Sequence, residues 1–284
     1  MLTRSIWVSA LAIGLSACAN IDLQSAEAPS VKPDLTESAQ AEVVSDPIIG
    51  PGDRMPSGRD IGTRSAVVAP NAAAATAHPL ATQTALDVMK DGGTAMDAAI
   101  AANAMLGLVE PTGNGIGGDL YAIVWDPKTK QLYGYNGSGK SPMGATLEDM
   151  QAKADAFMDG EEIPPYGAAP VTVPGTIDGW YALHARFGKR DMADNLKPAI
   201  EYARNGAPIP EVIAFYWQFG PDRFAPAAET GMLEEYENAK DTFFSPTPVE
   251  GSLFRNPVFA YTLTKVALNG RDDFYNGSIS LTMY

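Results

Sequence analysis

The feature that most constrains this chain is a glycine-rich junction between a predicted helix and a predicted strand. Residues 94–109, TAMDAAIAANAMLGLV, are alanine-rich and have the length and propensity of a helix. Residues 120–125, LYAIVW, are rich in β-branched and aromatic residues and predict a strand. The segment between them carries the glycines Gly113, Gly115, Gly117 and Gly118. The fold must therefore join a helix end to a strand start through this segment.

These glycines match the G-x-G-x-x-G pattern of nucleotide-binding loops, but the elements are in the wrong order. A dinucleotide loop follows a strand and opens a helix, whose N-terminal amides hold the pyrophosphate. Here the helix comes first. The junction instead predicts a turn that needs positive φ or a close approach of backbone segments.

The composition indicates a globular protein that does not bind nucleic acid. Of the 284 residues, 45% are hydrophobic, which is an ordinary fraction for a chain that buries a core. The formal net charge is -14 and there is no Lys/Arg-rich run, so the phosphates of nucleic acid would be repelled.

The N-terminus predicts export and lipid attachment. Residues 1–17 form a signal peptide whose apolar stretch is too short for a typical membrane-spanning helix. Cys18, the only cysteine, ends an LSAC motif that resembles the bacterial lipobox, which implies lipid on its thiol. The alternative is an ordinary signal peptide with an incidental cysteine. Because Ala19 follows, we expect a periplasmic or cell-envelope lipoprotein, at the outer membrane if the cell is Gram-negative.

Beyond Cys18, the chain divides into a tether and a folded region. Residues 18–60 are rich in Ala, Ser, Pro, Asp and Glu without lasting hydrophobic periodicity, which predicts an acidic flexible tether. The folded region is expected at 61–284, with mixed α and β structure. Its predicted elements are helices starting at Pro79, Thr94 and Thr146, a hairpin around 126–130, a strand at 171–173, and helices ending at Gly188, Gly206 and Gly270.

The folded region has no recognisable triad or metal site. His78 precedes Pro79, where helix capping is expected, and His184 stands in a predicted helix, where a surface or packing role is expected. No Cys/His cluster or G-x-S-x-G elbow accompanies them, and GSGK at 137–140 lacks the full phosphate-loop pattern. We therefore expect neither a metal nor an organic cofactor.

Several blocks of the sequence resemble gamma-glutamyltranspeptidases and follow the family's order. They are residues 75–126, VPGTIDGWYALHARFG, LKPAIEYARNG and NGRDDFYNGSIS. The resemblance implies an α+β fold of the N-terminal-nucleophile hydrolase type, an αββα sandwich of which this chain holds only the large-subunit part. It also implies a structural role for the junction glycines, which would let the buried helix pass closely into a core strand.

The resemblance implies catalysis by a residue outside this chain. Family members are precursors that cut themselves and expose a threonine whose own α-amine serves as base. This threonine attacks a γ-glutamyl amide such as glutathione and passes the acyl group to water or an amino acid. We expect it downstream of Tyr284, in a small subunit from the same precursor. Thr112, Thr172 and Thr176 match scaffold blocks, so we expect the chain alone to be inactive.

One expected substrate contact departs from the family's pattern. Typical members hold the substrate α-carboxylate with an arginine, and alignment on Pro142 puts Ser138 at that position. Lys140 is a candidate replacement charge and Asn136 begins the same loop, so these three are the candidate substrate-binding residues. This departure implies a substrate that differs from glutathione, for example another γ-glutamyl compound or the dicarboxylic side chain handled by the related cephalosporin acylases. A plain loop role for Ser138, and a non-catalytic envelope lipoprotein that retains the scaffold, stay open as alternatives.

Overall fold

The computed structural model describes residues 67–283. The predicted signal peptide at 1–17, the lipidation at Cys18 and the tether at 18–60 lie outside the described residues. The helices are α1 (Pro79–Lys90), α2 (Ala95–Val109), α3 (Leu147–Phe157), α4 (Thr176–Phe187), α5 (Met192–Asn205), α6 (Glu211–Trp217), α7 (Phe219–Glu229), α8 (Tyr236–Phe243), α9 (Pro257–Asn269), α10 (Arg271–Asn276) and α11 (Ser280–Met283). The strands are β1 (Leu120–Asp126), β2 (Gln131–Gly137), β3 (Ala207–Pro208) and β4 (Leu253–Phe254). This content confirms the prediction of mixed α and β structure.

Capping hydrogen bonds confirm the predicted starts of α1 and α2. His78 Nδ1 accepts the Leu80 N–H at 3.1 Å, and Pro79 occupies the first turn of α1. Thr94 Oγ1 accepts the Asp97 N–H at 3.2 Å, while the Asp97 carboxylate accepts the Thr94 N–H at 2.8 Å. This reciprocal pair is a capping box and fixes the first turn of α2.

Helix α2 lies at the centre of the core. Its fully or almost fully buried alanines are Ala98, Ala101, Ala102 and Ala104. Because these side chains are small, α1, α4 and α5 approach α2 closely, and α5 packs in turn on α9. Among residues 67–283, no helix has both the length and the apolar character needed to cross a bilayer.

Strands β1 and β2 form the predicted antiparallel hairpin. The register pairs Leu120 with Gly137 and Asp126 with Gln131. Successive side chains point to opposite faces, and one face packs on the core next to α4. The opposite face carries the exposed apolar side chains Tyr121, Ile123, Trp125 and Leu132. We call these four residues the outer face of the hairpin.

The predicted strand at 171–173 is wrong. The Val173 N–H donates to the Lys140 carbonyl at 2.9 Å, and the Gly175 N–H donates to the Gly118 carbonyl at 2.9 Å, but no ladder forms. Pro174 lies between these donors and has no N–H, which interrupts a regular pattern. The segment therefore runs beside the open end of the hairpin as an irregular connection into α4.

Helices α6 to α8 are absent from the sequence prediction, and α6 ends at the buried Trp217. The Trp217 ring contacts Phe254 with centroids 4.8 Å apart, and its Nε1–H donates to the Phe243 carbonyl at 3.0 Å. The long helices α5 and α9 do end where predicted, at Gly206 and Gly270, with φ of 111° and 82°. Only glycine adopts such values readily, so these two residues terminate their helices.

Candidate functional site

The glycine-rich junction is held by the start of α4. The Gly118 carbonyl accepts the N–H of Gly175 at 2.9 Å and the N–H of Thr176 at 3.0 Å. The buried Thr176 hydroxyl also donates to the Gly118 carbonyl, at 2.9 Å. These bonds place the beginning of β1 against the first turn of α4.

The junction glycines do not have the conformation that the sequence suggested. None of Gly113, Gly115, Gly117 and Gly118 has a positive φ, so that part of the prediction is wrong. A Cβ at Gly113 would lie 3.9 Å from Glu110 Oε1, and one at Gly118 would lie 3.8 Å from the Gly115 carbonyl oxygen. These are ordinary van der Waals distances, so the described residues leave room for a methyl group at Gly113 and Gly118.

A close backbone approach occurs where the end of β2 meets the connection into α4. A Cβ at Gly139 would lie 1.8 Å from the Val173 carbonyl oxygen, and one at Gly175 would lie 1.8 Å from the Gly137 carbonyl oxygen. Both obstructing atoms belong to the backbone and cannot rotate away. Only glycine fits at Gly139 and Gly175. Because neither residue has a side chain, the two segments can lie against each other beside Ser138.

The Asp119 carboxylate accepts four hydrogen bonds at this end of the hairpin. The Ser138 hydroxyl donates to Asp119 Oδ2 at 3.2 Å, and the Tyr121 hydroxyl donates to the same oxygen at 3.3 Å. Asp119 Oδ1 accepts the Gly139 N–H and the Thr172 hydroxyl, each at 3.3 Å. We call these five residues the Asp119 cluster. It is the group of polar side chains that the fold assembles around the predicted substrate contact Ser138.

Asp119 is not among the site residues predicted from the sequence, although its position in the hairpin register points to it. The hairpin register pairs Leu120 with Gly137, and one step outward it sets Asp119 opposite Ser138. An acidic residue between a glycine junction and a strand, opposite a candidate contact, is recognisable once that register is known. The predicted loop at 126–130 did not by itself fix how the residues of the two strands pair, so Asp119 could not be placed opposite Ser138.

The other predicted contacts differ in their relation to Ser138. Asn136 Oδ1 accepts the Ser138 N–H at 2.9 Å, so these two residues are in direct contact. Lys140 contributes its backbone carbonyl to the Val173 N–H, and its exposed side chain forms no ion pair within residues 67–283. Lys140 is therefore not joined to the Asp119 cluster.

The hydroxyls of Thr172 and Thr176 and both histidines make contacts within the fold. The Thr172 and Thr176 hydroxyls donate to Asp119 and to the Gly118 carbonyl, as given above. His78 caps α1 as predicted, and His184 Nε2 lies 2.6 Å from the Arg190 carbonyl oxygen at the α4–α5 connection. Across residues 67–283, no three His, Cys, Asp or Glu side chains converge to hold a metal ion.

A second polar network ties the hairpin to α4 and α10. Arg271 Nε donates to Asp178, and the Tyr135 hydroxyl donates to the other Asp178 oxygen at 3.0 Å. The hydrogen bond from Arg271 holds the pKa of Asp178 below its usual value. Burial, together with the Asp178 hydrogen bond and charge, raises the pKa of Tyr135 to about 12. The network fixes the inward face of β2 against the first turn of α4.

Comparison with known proteins identifies the family to which the chain belongs. Residues 81–284 match the model of the family described as gamma-glutamyltranspeptidase. The chain belongs to the gamma-glutamyltranspeptidase family. It is 31% identical over 220 residues to the glutathione hydrolase-like YwrD proenzyme of Bacillus subtilis, an alignment that covers 78% of this chain and 38% of that protein. The chain thus spans well under half the length of this relative.

Solved structures of the family show the same fold. Gamma-glutamyltranspeptidase from Helicobacter pylori superimposes with a TM-score of 0.65 at 26% identity, covering 77% of this chain and 60% of that one. Cephalosporin acylase from Bacillus halodurans gives a TM-score of 0.62 at 40% identity, covering 70% and 36%. These matches confirm the predicted N-terminal-nucleophile hydrolase class in incomplete form. To the gamma-glutamyltranspeptidase fold, residues 67–283 contribute helices and the hairpin that carries the Asp119 cluster.

Proposed function

We propose that this chain is the large-subunit part of a hydrolase or transferase that cleaves γ-glutamyl amides through a threonine acyl-enzyme. The family match and relatives named glutathione hydrolase and gamma-glutamyltranspeptidase support this proposal. The nucleophilic threonine belongs to a small subunit from the same precursor, as the name proenzyme of the Bacillus subtilis relatives suggests. The substrate is a γ-glutamyl compound such as glutathione.

The observation that carries this proposal is the outer face of the hairpin. Ile123 is 80% exposed, Leu132 66% and Trp125 59%, and they form one apolar surface on the side of β1 and β2 away from the core. Soluble proteins rarely leave contiguous apolar surfaces of this kind to water. In the proposed precursor, the small subunit packs on this face and completes the second layer of the αββα sandwich.

In the proposed reaction, the threonine's α-amine takes the proton from its own hydroxyl as the oxygen attacks the amide carbonyl. The carbon–nitrogen bond then breaks, and the leaving amine departs with that proton. Water or the amine of an acceptor attacks the resulting ester, which releases the acyl group and restores the hydroxyl. The role of this chain is to place the end of the hairpin, with Asn136 and Ser138, against the end of the substrate remote from the scissile bond.

The test is to express the complete reading frame and the 284-residue chain separately and to assay both with a γ-glutamyl anilide. We expect self-cleavage, a new N-terminal threonine and turnover from the complete precursor, with loss of both activities when that threonine is changed to alanine. We expect no turnover from the 284-residue chain. Turnover by that chain alone would overturn the proposal, and a folded precursor that neither cleaves itself nor turns over substrate would favour a non-catalytic scaffold.

A second candidate is an amidase that resembles the cephalosporin acylases. Two observations favour it: 40% identity to the Bacillus halodurans acylase and Ser138 in place of the expected arginine. An acylase of this kind would release glutaryl side chains faster than γ-glutamyl groups. A direct comparison of glutaryl and γ-glutamyl anilides on the processed precursor separates the two candidates.

We also propose that the protein is held in the cell envelope by lipid on Cys18. The LSAC motif before residue 19 supports this assignment. Cys18→Ser should abolish incorporation of labelled fatty acid and release the protein from the membrane fraction, while Ser25→Ala in the tether should leave both unchanged. Membrane retention of the unlabelled Cys18→Ser protein would contradict the lipid anchor.

A further inference from the structure

The Asp119 cluster uses all its hydroxyl hydrogens internally. The hydroxyls of Ser138, Thr172 and Tyr121 each have one hydrogen, and each directs it to Asp119. The Gly139 N–H is directed to Asp119 as well. What these hydroxyls still offer to a ligand is their oxygen lone pairs. The cluster therefore presents hydrogen-bond acceptors and lacks a free hydroxyl donor.

The charge of the cluster favours the same kind of ligand as its hydrogen bonding does. Asp119 is exposed, and within residues 67–283 no lysine, arginine or histidine forms an ion pair with it. Its partners are neutral groups, which satisfy the oxygens but leave the negative charge in place. A ligand carboxylate at Ser138 would meet a like charge and no free hydroxyl donor, whereas an ammonium group would meet an opposite charge and several acceptors.

We infer that Asp119 is a specificity-determining residue that selects acyl donors carrying an ammonium or N–H donor at the end remote from the scissile amide, as the γ-glutamyl group does, and disfavours acyl groups whose only charge at that end is a carboxylate. The inference rests on the proposed function because that proposal places Ser138 at the substrate. It reverses the polarity expected from an arginine at this position. It also favours an amine-bearing acyl group over the glutaryl group of an acylase substrate.

The experiment measures binding by calorimetry to the processed precursor, with ligands that differ only in the terminal group. On the same chain of three carbons beyond the amide, γ-aminobutyramide carries an ammonium group, glutaramate carries a carboxylate and butyramide carries only a hydrogen atom. We expect γ-aminobutyramide to bind about tenfold more tightly than glutaramate, with butyramide between them. Asp119→Asn keeps the shape of the side chain and should bring the two charged ligands within about threefold of each other.

Two further variants separate a local effect from a general one. Asp119→Glu retains the charge and should retain the preference for γ-aminobutyramide. Asp126→Asn removes one negative charge at the opposite end of β1, where Asp126 accepts the Lys128 N–H at 2.9 Å, and should leave the preference unchanged. Loss of the preference in both asparagine variants would assign it to net charge and overturn the inference.

The remaining outcomes of the binding experiment also test the inference about Asp119. Equal binding of the charged ligands, tighter binding of glutaramate through Lys140, or binding of none would overturn the inference. A preference that survives Asp119→Asn would overturn it too. Turnover of a γ-glutamyl anilide is measured separately. Turnover without the binding preference rejects the inference and retains the proposed function. The binding preference without turnover retains the inference about Asp119 and rejects the proposed function.

Discussion

Asp97 accepts a hydrogen bond from the side-chain amide of Asn195 at 3.0 Å, and both residues are fully buried. The same carboxylate accepts the backbone N–H groups of Thr94 at 2.8 Å and of Lys189 at 3.0 Å. Burial alone would raise the pKa of Asp97, but hydrogen bonds from Thr94, Asn195 and Lys189 outweigh it and lower the pKa. One carboxylate thus joins the start of α2 to α5 and to the α4–α5 connection.

Replacement of Asp97 by asparagine should destabilise the fold strongly. The new amide group would face N–H donors and leave buried groups without acceptors, at a cost of about 2–4 kcal/mol in the free energy of unfolding. The measurement is urea denaturation of the 284-residue chain. Asp87→Asn, at an exposed position of α1, should change this free energy by less than about 0.5 kcal/mol. Equal effects of the two variants would show that the Asp97 contacts contribute little.

The glycines at the end of the hairpin permit a similarly matched comparison. Gly175→Ala places a Cβ within 1.8 Å of the Gly137 carbonyl oxygen, so the backbone must move. We expect a loss of at least about 3 kcal/mol in the free energy of unfolding. Gly134→Ala in β2, where a Cβ meets no atom within 4 Å, is the control and should be neutral or slightly stabilising. A stable Gly175→Ala protein would contradict the close approach.

The sequence allowed the elements with strong local signals to be predicted, and the remainder depends on tertiary contacts. The capping box at Thr94 and the end of α5 at Gly206 follow from local chemistry and were predictable. Helix α7 contains Pro226, which weakens any helical pattern, and its Phe224 ring packs on Tyr166 and Phe244, contacts that the local sequence does not reveal. Apart from Tyr121, Asp119 gains its partners from segments 19 to 53 residues away, which no local pattern reveals.

Acid should weaken the fold through His78. Burial lowers the pKa of His78 below its ordinary value, and its Nε2 has no partner among the described residues. The unfolded chain, with a histidine pKa of about 6.5, therefore binds a proton more readily than the folded chain. This contribution to stability is fully present above that pH and is lost as the pH falls through it toward the folded pKa.

The measurement is the free energy of unfolding at several pH values between about 7 and 5, above the range in which most carboxylates titrate. The wild-type chain should lose stability across this interval. His78→Asn retains a capping acceptor but does not titrate, so its pH dependence should be shallower. Parallel curves for the two proteins would exclude His78 as the source.

Removal of the Asp178 charge should make Tyr135 easier to ionise. Burial is the largest cause of the pKa of about 12, and the hydrogen bond and charge of Asp178 add to it. In Asp178→Asn, burial persists while the negative charge is lost, so the pKa of Tyr135 should fall toward its ordinary value of about 10. Tyrosinate absorbance against pH measures the change, and Tyr135→Phe identifies which titration belongs to Tyr135. An unaltered titration would mean that burial alone sets this pKa.

A charge on the outer face of the hairpin should have opposite effects on the isolated chain and on the complete precursor. Ile123 is 80% exposed in the described chain, so Ile123→Glu should leave its folding free energy within about 1 kcal/mol of wild type and reduce self-association. In the precursor, the same carboxylate would be buried beneath the small subunit and should reduce maturation severely, because an unpaired buried charge is costly.

Analytical ultracentrifugation of the chain and gel analysis of precursor cleavage provide the two measurements for Ile123→Glu. Leu268→Glu is the matched control because Leu268 is a 73% exposed apolar residue on α9, away from the hairpin. It should leave maturation unchanged. Normal cleavage of the Ile123→Glu precursor would show that the outer face stays in water after assembly, and the proposed position of the small subunit would then be wrong.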